Sequence, residues 1–325
     1  MMLRRSIGLC AVCVLAAVAS ARAGEIDKYL PEDTEMVVSI NVRQILDSDL
    51  YKKNVGDAGR DALKSLGGEV QDALDDLGFD PFKDLDRVIV AGPAGGEQDR
   101  GLVIAHGRFN LDKFRAKAEK TAKDDPNMLK IHKIGDGDGK FLVYEVQVND
   151  QAPNVFVALA DDATLLASPG KDYVVDAMRK VNAKEPPTLK NMQMQELLGR
   201  MNTKQSISVA MLGAALTEGA PQEVKDLFGK IDVVGGGVTI GDDIKIELAG
   251  TAKSEDDAKQ VVESLENYLN QARLLAAALA FSKNNKVGAL VELINSVKIT
   301  AKEKTVVVKA GLSADAIDSL MKQDK

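Results

Sequence analysis

The clearest signal along the chain is strict alternation of apolar and polar side chains. Over 36–42, Met36, Val38, Ile40 and Val42 fall on one side, with Ser39 and Asn41 on the other. Leu142, Tyr144, Val146 and Val148 oppose Glu145 and Gln147, and Ile244, Ile246 and Leu248 oppose Lys245 and Glu247. The period recurs at Ile207, Val209 and Met211, and at Val297 and Ile299 against Lys298 and Thr300. A period of two with one polar side predicts half-buried antiparallel strands with the apolar set turned inward. A doubly wound parallel sheet gives continuous apolar runs instead, so that class is excluded.

Between these strands lie segments of helical spacing with plausible caps. Asn110 is placed to cap a helix whose inner stripe is Leu111, Phe114, Ala118 and Ala122. Ser168-Pro169 opens another, with Val174, Ala177, Met178 and Val181 inward. Ser254 and Asp257 resemble a capping box, and the helix after it is expected to run to about 281 through Val261, Leu265, Leu269, Ala272, Leu275 and Leu279. Its end, 274–281, is apolar all round.

Both periodicities fail at 182–192, where Pro186-Pro187 forbids a continuous helix. This divides the chain into a unit at 24–182, a linker at 183–192 and a unit at 193–325. Strand, polar cap and helix follow one another at 101–123 and again at 243–267, with Gly107 against Gly250. Val175 to Lys180 sits against Ile317 to Lys322 at nearly the same offset. Nearly equal offsets point to an internal duplication. The first unit carries an extra helical segment near 55–77 and an extra hairpin near 154–168.

The N-terminus reads as a signal peptide over 1–23. Arg4 and Arg5 precede an apolar run, Ile7 to Ala19, and Ala21-Arg22-Ala23 supplies the small residues of a cleavage point; cleavage after Ala21 fits nearly as well. The run is shorter than the roughly 20 residues a membrane-crossing helix needs, so no transmembrane anchor is expected after cleavage. Cys10 and Cys13 follow Leu9 and Val12 rather than a small residue, which argues against lipid attachment. They are the 2 cysteines of the chain, so the mature protein has none. An exported, periplasmic or extracellular location follows.

The net charge is −7, and loss of Arg4, Arg5 and Arg22 takes it to −10. Lys and Arg are interspersed with Asp and Glu throughout, so no basic surface is set apart for a phosphate backbone. Nucleic acid is therefore not an expected partner.

Tyr29-Leu30-Pro31-Glu32-Asp33-Thr34, followed by a strand and Asn41-Val42-Arg43-Gln44-Ile45-Leu46, resembles uncharacterised exported proteins of planctomycete bacteria. Gly78-Phe79-Asp80-Pro81-Phe82-Lys83-Asp84-Leu85-Asp86 before a strand is similar to the same group. The resemblance implies export and fold, and it assigns no activity or site.

Motifs of reactive chemistry fail on context. Gly92-Pro93-Ala94-Gly95-Gly96 lacks the Gly-Lys pair of a phosphate loop and leads into a strand, so its glycines serve a turn. Asp136 and Asp138 resemble a calcium loop, but Lys140 stands where an oxygen ligand belongs, and a hairpin turn is expected. His106 and His132 lack the spacing of a metal pair; they read as a half-buried strand histidine and a solvated one. His106 is the better candidate if the chain hydrolyses anything. The acidic pairs, such as Asp75-Asp76 and Asp242-Asp243, fall at turns and first helical turns. With 4% aromatics and no Trp, platforms for sugar are poorly supplied.

The sequence thus predicts an α+β protein of two related units, each an antiparallel sheet with helices on one face. It has no expected cofactor, metal or catalytic residue. The expected role is binding or scaffolding of an envelope protein, with carriage of an apolar ligand as the alternative and envelope hydrolysis as a third. Two features are candidates for ligand or inter-unit contact. One is the apolar helix end, Leu274, Leu275, Leu279 and Phe281, where ordinary core packing is favoured. The other is Gly235, Gly236 and Gly237 inside a strand, where close backbone approach is favoured over a ligand.

Overall fold

The computed structural model describes residues 26–65, 68–95, 100–136, 140–147, 153–183, 188–217, 219–279 and 285–321. The first half runs β1 (Met36–Ile40), α1 (Val42–Asp47), α2 (Asp49–Asn54), α3 (Gly56–Ser65), α4 (Gly68–Leu77), α5 (Pro81–Asp84), β2 (Leu85–Gly92), β3 (Leu102–Gly107), α6 (Leu111–Asp124), β4 (Leu129–Ile134), β5 (Phe141–Val146), β6 (Val155–Asp161), β7 (Thr164–Ser168) and α7 (Lys171–Ala183). The second runs α8 (Met192–Arg200), β8 (Ile207–Leu212), α9 (Gly213–Thr217), α10 (Gln222–Phe228), β9 (Ile231–Ile240), β10 (Ile244–Ala252), α11 (Glu255–Leu279), α12 (Asn285–Ser296), β11 (Lys298–Lys302), β12 (Thr305–Leu312) and α13 (Ala314–Met321). The protein is α+β, and its sheet pairs antiparallel throughout.

The two halves share one sheet. Its 12 described strands lie in the order β11-β12-β10-β9-β8-β1-β2-β3-β7-β6-β5-β4, with β1 and β8 hydrogen-bonded at the middle. Read outward from that seam, β1-β2-β3-β7-β6 on one side matches β8-β9-β10-β12-β11 on the other. The hairpin without a counterpart is β4–β5. The pair β6–β7, which the sequence suggests as the addition, corresponds to β11–β12.

Local chemistry explains the helix starts. Asn110 Oδ1 accepts from the Lys113 N–H at 3.0 Å and opens α6. Ser254 Oγ accepts from the Asp257 N–H at 3.0 Å and donates to its Oδ2 at 2.6 Å, so α11 begins as expected. Ser168 behaves differently. Its hydroxyl accepts from the Gly170 N–H and donates to Gly101 O, and α7 starts only at Lys171.

One core is built on a single face of the central strands. Ile89, Ala91, Leu102, Ile104, Leu166 and Ala210 pack with Val174 and Met178 of α7, Met194 and Leu198 of α8, and Tyr29 and Leu30 of the N-terminal segment. Full burial of side chains such as Ile104, Leu166 and Met194 contributes about 1.5–3 kcal/mol each. A second core joins Ala258 and Val261 of α11 to Ile231, Ala252 and Val306. It lies on the opposite face. Gly235 faces Leu197 of α8, whereas its neighbour Val234 packs into the second core, and adjacent strand residues point opposite ways.

The first half also has helices on both faces, which differs from one-sided packing. Val143 joins the core with α7, while Tyr144 meets Phe114 of α6 edge-on at 5.2 Å. Both residues are buried because β5 is apolar on both sides.

Candidate functional site

The sheet face opposite the first core carries apolar side chains from edge to edge. Directly opposed residues across the ladder share a face. One row therefore runs Ile131, Tyr144, Val157, Ala167, Val103, Val90, Val38, Val209, Gly236, Leu248, Val308 and Ile299, one from each strand. The neighbouring row passes through Leu159, Leu165, Ala105, Val88, Ile40, Ile207, Val238 and Ile246. Helix α6 stands on one end, at Tyr144, and α11 on the other, at Val306 and Ile299. Between them the face is open: Val90, in a strand hydrogen-bonded on both sides, is 39% exposed.

This reverses the inward assignment that alternation suggests. In β1 the apolar set Met36, Val38 and Ile40 is half-exposed, and Val37 is the buried residue. In β8 the buried set is Ser208, Ala210 and Leu212, leaving Ile207, Val209 and Met211 on the open face. The covered face carries the core residues Ile89, Leu102, Ile104 and Leu166 together with small ones, and at Gly235 the absence of a side chain lets Leu197 of α8 come close.

The residues singled out from sequence do not converge. Leu274 and Leu275 lie on α11 and are 74% and 67% exposed, so core packing does not hold for them, although Ala276 beside them is buried. Leu279 ends α11, and Phe281 lies outside the described residues, as do 1–23 and Pro186-Pro187. The three glycines meet backbone or side chain at close range. A Cβ would stand 2.6 Å from Leu197 Cδ1 at Gly235, 2.1 Å from Glu247 O at Gly236 and 2.1 Å from Ile207 O at Gly237. Close approach accounts for all three.

His106 has partners that its sequence position does not announce. Its Nε2 lies 2.6 Å from Asp27 Oδ2, and its Nδ1 lies 3.4 Å from Thr164 Oγ1. The order Asp, His, Thr resembles a hydrolytic relay, but Thr164 is 3% exposed, which keeps its hydroxyl from a substrate. The arrangement clamps the N-terminal segment to β3 and β7. Burial pushes the Asp27 carboxyl up; the His106 hydrogen bond, the Tyr29 N–H and the charges of His106 and Arg87 outweigh it, leaving the pKa below the usual carboxylate range. The same segment is tied through Asp33, which accepts from Tyr173 Oη and Arg100 Nη2, each at 2.7 Å. His132 is not simply solvated. Its Nε2 lies 2.7 Å from Glu145 Oε2, and that contact, with Asn154 and Lys130, holds the Glu145 carboxyl low against partial burial.

A cleft of about 540 Å³ lies between the N-terminal segment and α7. Along its wall Lys180 pairs with Glu32 at 3.0 Å and Arg179 lies 3.9 Å from Asp176, while Asp33 is held by Arg100. Among the described residues no group of three or more His, Cys, Asp or Glu is placed to hold a metal. No described helix is long and apolar enough to cross a membrane.

No protein-family description matches the chain, and no curated protein does. Solved structures of TP0453, a Treponema protein, are similar over nearly the whole length. Crystal form III is 7% identical, covering 92% of this chain and 99% of that one, with a TM-score of 0.49. Form IV is 9% identical, covering 94% and 99%, with a TM-score of 0.48, and form I is 8% identical, covering 93% and 100%, with a TM-score of 0.45.

Proposed function

We propose that the protein is exported to the bacterial envelope or beyond and works there by binding, with the open apolar sheet face as its contact surface. Export is supported by the cationic, apolar and small-residue order of 1–23 and by the resemblance to planctomycete exported proteins. The repeated strand order about the β1–β8 seam supports an ancient duplication, with 24–182 and 193–325 as its units.

One observation carries the functional reading: a continuous apolar row crosses the sheet, and Val90 at its middle is 39% exposed. Contiguous apolar surface of this kind marks contact with another molecule. A photoreactive residue in place of Val90, and in a second variant in place of Lys309 on the charged outer surface, tests it in intact cells. The reading predicts one discrete adduct from position 90 and none from 309. Equal labelling from both, or no adduct from 90, contradicts it.

A further inference from the structure

We propose a second binding site, at the α6 end of the same sheet face and several strands from Val90: the cleft at the ends of β5 and β6 takes an amphiphile with one anionic head, carboxylate or phosphate, on an apolar body. It gives chemical content to the carrier reading and does not depend on contact at the middle of the sheet face around Val90.

The cleft holds about 520 Å³, within the roughly 300–1,000 Å³ of small-molecule sites. Its rim carries three cations from three elements: Arg115 of α6, Lys133 of β4 and Lys140 just before β5. Its apolar lining includes Leu142, Tyr144 and Leu159. None of the lining residues is acidic, in a chain of net charge −7. In the cleft between the N-terminal segment and α7, by contrast, carboxylates line the wall and Lys180 pairs with Glu32. At the ends of β5 and β6, among the described residues, the three cations face the cleft with no carboxylate at ion-pair distance. Glu119, one turn along α6, and the Arg115 guanidinium are the charged groups that act on the Tyr144 hydroxyl.

The combination selects its ligand. Exposed cations alone hold a small anion weakly in salt, and an apolar lining alone does not choose a charge. Together they reward a molecule that places a charged head at the rim and carbon on the apolar lining, where each buried methylene tightens binding about fourfold. The rim also excludes a cationic head by repulsion.

Calorimetric titration of the mature protein tests the site with dodecanoate, dodecyl phosphate, dodecyl maltoside, dodecyltrimethylammonium and inorganic phosphate, all below micelle formation. Either or both anionic amphiphiles should bind, and their order identifies the head. The neutral one should bind at least about tenfold more weakly, and the cationic amphiphile and inorganic phosphate should give no heat. Arg115→Gln and Lys133→Gln should each weaken the anionic ligand about tenfold. All three rim residues are exposed, so an unchanged melting temperature accompanies that loss. The proposal is overturned if neutral and anionic amphiphiles bind alike, if inorganic phosphate binds as tightly as dodecyl phosphate, or if both Gln variants bind as wild type. Val90→Lys should leave the affinity unchanged; if it alone abolishes binding, the ligand sits on the open face and the cleft is not its site.

Discussion

Gly235, Gly236 and Gly237 follow one another in β9, and alanine at each meets a different obstacle. At Gly237 the new methyl would stand 2.1 Å from the Ile207 carbonyl oxygen and 2.9 Å from Ser208 Cα, where ordinary contact begins at 3.4 Å. Backbone cannot rotate away as a side chain does, so β8 and β9 must part locally. That breaks about two ladder hydrogen bonds, about 1 kcal/mol each, and leaves buried groups unpaired at about 1–3 kcal/mol. A cost of about 3–5 kcal/mol follows. Gly236 adds a φ of +146°, which L-residues rarely adopt, to its 2.1 Å approach to Glu247 O. Strain of about 1–3 kcal/mol puts it in the same range as Gly237. At Gly235 the obstacle is Leu197 Cδ1 at 2.6 Å, the end of a rotatable side chain. Displacing it costs about 1 kcal/mol, and alanine returns about 0.5–1 kcal/mol by restricting the unfolded chain, so the net is within about 1 kcal/mol of zero. Thermal unfolding followed by circular dichroism reads the difference. At roughly 2–4 °C per kcal/mol, Gly237→Ala and Gly236→Ala should melt at least about 6 °C below wild type, and Gly235→Ala within about 4 °C of it. A Gly235→Ala protein less stable than Gly237→Ala would refute the reasoning.

Other perturbations separate the remaining claims. Asp27→Asn leaves His106 without its carboxylate and should destabilise the fold by about 3 kcal/mol at neutral pH in urea titration; no loss would remove the clamp. Because the Asp27 pKa is lowered in the folded state, its contribution is complete above the unfolded value of about 3.9 and is lost as pH falls through the lower folded value. Wild-type stability should therefore drop more steeply than that of Asp27→Asn below about pH 4, and parallel curves would contradict this. Leu274→Gln with Leu275→Gln should change stability by less than about 0.5 kcal/mol, since both are solvent-exposed, and a loss of several kcal/mol would restore the core reading of that helix end. Ile104→Ala should cost about 2–5 kcal/mol, measured by the same denaturation.

Alternation located the strands but not the direction they face. The signal at 36–42, 141–148, 207–211 and 244–248 corresponds to β1, β5, β8 and β10, although β1 stops at Ile40 because Asn41 Oδ1 accepts from the Gln44 N–H and turns the chain into α1. Period two reports that one side of a strand is apolar; burial depends on what packs against it. In β1 and β8 the covered side is that of Val37, Ala210 and Leu212. Alternation alone does not encode that choice, because it depends on how α8 and the Tyr29 segment, each one loop before its strand, fold back onto the sheet. The cleft was illegible for the same reason. Arg115, Lys133 and Lys140 lie on three elements, and each alone reads as an ordinary surface cation. His106 was legible as a strand residue, but Asp27, 79 positions away, was not. The glycines were readable because their cost is local: three in a strand need a steric cause.

Thiol labelling at single positions tests the open face most directly. The two cysteines of the chain are Cys10 and Cys13, so protein produced from Gly24 carries only an introduced thiol. Val90→Cys and Ile104→Cys place it on opposite faces of adjacent strands, the first at a position 39% exposed and the second at one fully buried. Under native conditions Val90→Cys should react with a maleimide at a rate approaching that of the unfolded chain, and Ile104→Cys should stay protected until unfolding. Protection of both would mean that the apolar row is covered and is not a surface for binding.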